Sequence, residues 1–134
     1  LNKGDTSSAP IQITSVMEKL RGSDQLLFEI AIENKGKGDV YRPAMDCTDL
    51  NDAIKKLDSS DIVKVTLPDD IKCSFLGETA SVGEIRLTAN KNILTCKRDV
   101  FETGSNFEQK VTILLEYKYV DTVTKPIKIF ETST

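Results

Sequence analysis

Apolar and polar residues alternate along most of this chain with a period of two. Leu26, Phe28, Ile30 and Ile32 interleave with Leu27, Glu29, Ala31 and Glu33. Successive side chains of an extended chain point to opposite sides, so this pattern predicts a strand with one buried face. Ile11 and Ile13 alternate with Gln12 and Thr14 after Pro10, predicting a short first strand that ends by Val16. Further strands are expected over 62–67, 71–76, 84–88, 93–97, 108–119 and 125–130. Between them, Asn34-Lys35-Gly36-Lys37-Gly38-Asp39 reads as a turn, since two glycines and an Asn tolerate positive φ. Val40 to Pro43 resumes an extended chain. The closing hairpin is strongly written. Val111, Ile113, Leu115, Tyr117 and Tyr119 share one face, Val120-Asp121-Thr122 turns, and Ile127 and Ile129 return. Pro126 lacks an amide hydrogen and belongs at a strand start or on an edge. The predicted core includes Phe28, Ile30, Ile32, Val65, Ile113, Leu115 and Tyr117, with Glu29, Glu33, Lys64 and Lys118 facing water.

One stretch has the other period. In 48–57 the apolar residues are Leu50, Ala53, Ile54 and Leu57, spaced i, i+3, i+4, i+7 on a single helical face. Thr48 or Asp49 can cap its start, and Lys55 and Lys56 sit near the negative end of the helix dipole. The expectation is one short helix packed over an open end of the β core.

About seven to nine strands with a lone helix in a connection fit an all-β sandwich. A small barrel is the alternative. A parallel α/β sheet is disfavoured, because the connections are too short for crossover helices. The organisation expected is one domain over 1–134, with 1–9 as an extended tail and 48–57 as the helix.

Composition narrows the functional classes. The chain has 134 residues, enough for a core of its own, and a net charge of −3, which is the wrong sign for a nucleic-acid binder. No apolar run approaches the roughly 20 residues of a membrane span. Because the chain begins at Leu1 rather than Met, it is expected to be a processed form, an excised domain or part of a longer protein.

The segment Phe28 to Tyr41, an alternating strand followed by Asn-x-Gly-x-Gly and a short extended piece, resembles CARDB-type immunoglobulin-like domains of archaeal and bacterial surface proteins. The stretch Tyr117-Lys118-Tyr119 … Thr124 to Ile129 is similar to the final hairpin of archaeal S-layer-associated β-sandwiches. The resemblance implies an immunoglobulin-like fold and an extracellular, non-catalytic module. It carries over no site residues, and the insertion from Asp46 to Asp61 departs from the pattern.

Three cysteines fit that setting. Cys73 and Cys96 fall on inward faces of two strands and can meet across the core as one bridge. The other reading is a pair of buried free thiols. Cys47, in the loop before the helix, is then odd: free, a substitute partner, or paired with another chain.

Chemistry is sparse. With no histidine there is no His-based triad and no His-containing zinc site. Gly36-Lys37-Gly38 lacks phosphate-loop spacing. Asp46, Asp49 and Asp52 are weak Ca²⁺ candidates, because oxygen ligands converging from loops suit that ion. Acids in a first helical turn are the simpler reading. Sugar binding commonly uses exposed aromatic residues; there is no Trp, and of the three tyrosines only Tyr41 is expected at the surface.

No enzyme activity and no cofactor are therefore expected. The leading expectation is an extracellular structural subunit of a filament or surface layer. It would self-associate through strand edges or a shared terminal strand, with Ala9, Pro10, Ile11 and Ile13 as the self-assembly residues. The alternative is a surface recognition or adhesion module that binds a protein, a carbohydrate or Ca²⁺ through its end loops.

Overall fold

The computed structural model describes residues 9–22, 24–99 and 111–122. In chain order the strands are β1 (Ile11–Arg21), β2 (Gln25–Asn34), β3 (Asp39–Tyr41), β4 (Ile62–Thr66), β5 (Ile71–Phe75), β6 (Glu78–Ala80), β7 (Val82–Arg86), β8 (Lys91–Asp99), β9 (Leu114–Glu116) and β10 (Lys118–Val120). A 3-10 turn at Cys47–Asn51 and a helix, α1 (Ala53–Ser59), lie between β3 and β4. One layer is a five-stranded sheet in the order β1-β2-β8-β5-β6. The other is built from β7-β4-β9 and β10-β3.

The alternating strands explain why two layers meet. Phe28, Ile30, Ile32, Ile71, Phe75 and Leu94 of the first layer share one buried cluster with Val40, Val63, Val65 and Ile85 of the second. Both sheets thus place their apolar faces inward. Among the described residues the five-stranded sheet ends on β1 and β6 without closing on itself. The fold is an immunoglobulin-like β-sandwich in general shape.

Several expectations are corrected. β1 runs past Val16 to Arg21, and its register against β2 shifts between Ile13 and Ser15, leaving Thr14 as a bulge. The strand expected over 108–119 is split: β9 pairs with β4 and β10 pairs with β3, because Tyr117 interrupts the ladder. Ile113, Leu115 and Tyr117 pack on the core but are only half-buried, as β9 is short and lies on an edge. Strand 125–130, residues 108–110 and the tail before Ala9 lie outside the described residues.

Polar positions shift as well. Glu33 and Lys64 are half-buried. Lys64 sits on the central strand of its sheet, directly between Glu84 and Glu116. Half-buried Lys118 donates its ammonium to the Met45 carbonyl, tying the helical connection to β10. Tyr41, expected at the surface, is 4% exposed. It pairs with Lys118 on one side and bridges to Ser60 on the other.

The helix departs furthest from expectation. Asp52 is extended (φ −99°, ψ 109°), so it separates Leu50 in the 3-10 turn from α1. The four apolar residues therefore do not share one face. Ile54 is 81% and Leu57 73% exposed, and α1 does not cover the core.

Candidate functional site

Among the described residues, the edge of β1 is the site that the fold leaves open most plainly. β1 has eleven residues, whereas β6, at the opposite edge of the sheet, has three. Short edge strands are a common way of blunting such an edge, and β1 is not short. On its inner side it pairs with β2 from Ile11↔Asn34 to Arg21↔Gln25. Among the described residues no strand pairs with its outer side. Met17 and Leu20, near its end, are 66% and 60% exposed.

The entry of β1 is held by the Asn34–Gly38 loop. Lys35 donates its backbone N–H to the Pro10 carbonyl at 2.7 Å. The Asn34 side chain accepts from Gly36 N–H at 2.9 Å and donates to the Gly38 carbonyl at 3.1 Å. The two glycines are needed for close approach rather than for positive φ. A β-carbon on Gly36 would run into the Tyr119 hydroxyl, and one on Gly38 into the Val120 carbonyl and the Tyr119 ring. Gly38 N–H donates to that same hydroxyl.

The sequence-predicted assembly residues all lie at this entry. Ile11 is buried in the chain's own core, and Ile13 packs partly against it. The Ala9 carbonyl accepts from the Gln12 side chain at 2.9 Å. The side chains of Ile11 and Ile13 are therefore committed to their own sandwich. What they can offer a neighbour is backbone. The continuation from Met17 to Arg21 was missed, although a signal exists: the apolar phase steps from Ile13 to Val16 and then to Leu20.

A titratable group sits beside the bulge. A hydrogen bond from Thr14 holds the Glu33 carboxyl below its ordinary value, with Lys35 and Lys91 adding to the effect and burial opposing it. Elsewhere, Arg42 pairs with Glu84 at 2.8 Å and Asp58 at 3.1 Å. The Glu84 hydrogen bond leads the upward shift of its guanidinium. Burial, then the charges of Asp39 and Asp61, pushes the Tyr41 phenol up.

The acidic candidates for Ca²⁺ serve the backbone. Asp49 accepts from Asp46 N–H at 3.1 Å and from the Lys55 ammonium at 3.4 Å. Asp52 caps α1, accepting from Ile54 N–H at 3.0 Å and Lys55 N–H at 3.3 Å. Asp52, not Thr48 or Asp49, is thus the helix cap. Among the described residues no group of three or more His, Cys, Asp or Glu side chains could hold a metal ion.

Cys73 and Cys96 are joined by a disulfide. The bond does not cross the core between layers; it links directly opposed residues of neighbouring β5 and β8 in one sheet. Cys47 is a free, exposed thiol. Among the described residues no helix is long and apolar enough to cross a membrane.

No family model, curated protein or solved structure matches the chain.

Proposed function

We propose that this chain is a non-catalytic structural domain of a cell surface, acting outside the cell and assembling through β-strand edges. The observation that carries this reading is the eleven-residue β1 at the margin of the five-stranded sheet. Such an edge offers a row of N–H and C=O groups to an added strand. The Cys73–Cys96 bridge favours an oxidising compartment. The likeness of Phe28–Tyr41 to CARDB-type domains of archaeal and bacterial surface proteins points the same way. The reading takes 1–134 as one domain.

A filament is the further part of the proposal. The segment leading into β1, through Ala9, Pro10, Ile11 and Ile13, would lend backbone to a neighbour head to tail, a contact that does not close on itself. A chain starting at Pro10 tests it against the full chain by sedimentation and melting. Loss of large assemblies on removing the tail is expected. Two monomers with identical melting curves would rule strand sharing out.

A second reading, recognition of a protein partner through the end loops, is favoured by exposed Ile54 and Leu57 on α1. Ile54→Lys with Leu57→Lys separates the two. Assembly lost there and kept in β1 variants would move the contact to the helix.

A further inference from the structure

Resting on the reading of β1 as the assembly edge, we propose that its partner is the β1 of a second copy. The two strands run antiparallel about a two-fold axis that passes beside Met17.

The direction of each backbone group along β1 follows from the pairing. Lys35 N–H bonds the Pro10 carbonyl, so residues 10 and 35 form a hydrogen-bonded pair. In an antiparallel ladder such pairs alternate with non-bonded ones. Ile11, opposite Asn34, therefore turns its N–H and C=O to the open edge, and Ile13 does the same. Both side chains point to the core. Along one strand, the face that a side chain takes and the edge that its N–H takes are locked together. The bulge at Thr14 resets the phase, and Val16 returns to the core face opposite buried Ile30. Val16, Glu18 and Leu20 thus present their backbone groups to the open edge. Ser15, Met17 and Lys19 carry their side chains on the sheet's outer face.

These constraints leave few registers. A two-fold partner must match core-face residues with core-face residues, so the axis passes beside a residue and never between two. An axis at Glu18 sets Glu18 against itself, and one at Lys19 sets Lys19 against itself; like charges directly opposed are destabilising. An axis at Val16 brings the bulged Thr14 opposite Glu18, inside the paired stretch. An axis at Met17 sets Met17 against Met17, Val16 against Glu18 and Ser15 against Lys19. No like charges face each other, the bulged Thr14 falls opposite Leu20 at the end of the paired stretch rather than within it, and the side chain of Met17, 66% exposed in the single chain, is covered. The contact is isologous and closes as a dimer with one sheet running through both copies. A filament then requires the head-to-tail contact in addition.

The test uses the full chain with Cys47→Ser. Opposed non-hydrogen-bonded residues lie close enough for a disulfide. Met17→Cys should give covalent dimer as the main product of mild oxidation, and the exposed control Leu76→Cys only a trace. Ser15→Cys and Lys19→Cys should link when mixed and fail to link alone. Glu18→Pro removes an N–H from the open edge only, so it should lose the dimer in sedimentation while keeping the melting temperature of the parent chain measured where both are monomeric. A dimer in sedimentation that links through Lys19→Cys alone, and not through Met17→Cys, overturns the register and leaves the assembly reading standing. Undiminished dimer with Glu18→Pro overturns β1 as the contact. A monomer at high concentration whose Val16, Glu18 and Leu20 amides resist exchange means that the chain covers its own edge, and both readings fall.

Discussion

Thr14 does two things at once: it shifts the phase of β1, and its hydrogen bond favours the charged form of Glu33. The folded chain therefore holds Glu33 below the ordinary value of 4.5, while the unfolded chain titrates at that value. A depressed folded pKa contributes stability above the unfolded value and loses it as pH falls through the folded one. Thr14→Val should move the Glu33 titration up toward 4.5 and flatten the acid limb of stability. Carboxyl-carbon NMR reads this directly, and an unmoved Glu33 would discard the role given to Thr14. Gly38 is the second informative residue. Its missing side chain leaves room for the Tyr119 ring and the Val120 carbonyl, so Gly38→Ala should cost about 1–3 kcal/mol, the range for overpacking. Exposed Lys37→Ala is the control and should unfold at the same denaturant concentration as the parent chain.

Among the elements, the turn from β7 to β8 carries local strain. Ala89 and Asn90 both have positive φ, at 50° and 68°, and Thr88 and Lys91 bond each other across them. That arrangement favours Asn followed by Gly, and an alanine there is costly. Ala89→Asn should stabilise the chain by up to about 1 kcal/mol, since Ala89 is exposed and loses no packing. An unchanged or lower denaturation midpoint would count against the strain. The sequence foretold β2 well because one face of it meets the core along its whole middle, so burial and period agree. It misjudged β1 because a bulge shifts the phase without breaking the strand. It misjudged α1 because the spacing of Leu50, Ala53, Ile54 and Leu57 assumes an unbroken helix, and the extended backbone of Asp52 breaks it. Tyr41 was misplaced because the backbone that pairs on either side of it, at Lys118 and Ser60, is distant in sequence.

For the whole molecule, the two-layer fold and the pairing of Cys73 with Cys96 were within reach of pattern reading, while the open edge was not. Which strand ends a sheet depends on the order in which strands are laid side by side, and alternation along one strand says nothing of that. The sequence singled out Ala9, Pro10, Ile11 and Ile13 as a terminal segment to be shared with a neighbour, not as the border of a sheet. Among the described residues, the strand that this segment leads into pairs only with β2.

The bond between β5 and β8 sets a limit of a different kind. Its two cysteines are 23 residues apart, and β6 and β7 lie wholly between them. When a chain is drawn out from its two ends, tension bypasses that stretch and runs through the sulfur atoms. At roughly 3.4 Å per extended residue, about 80 Å of contour stays hidden. Single-molecule pulling should therefore show a full extension shorter by about that length than after reduction, and equal extensions would mean that the bond carries no load. A string of such subunits would lengthen under load in short, bounded steps, each ending at a covalent stop.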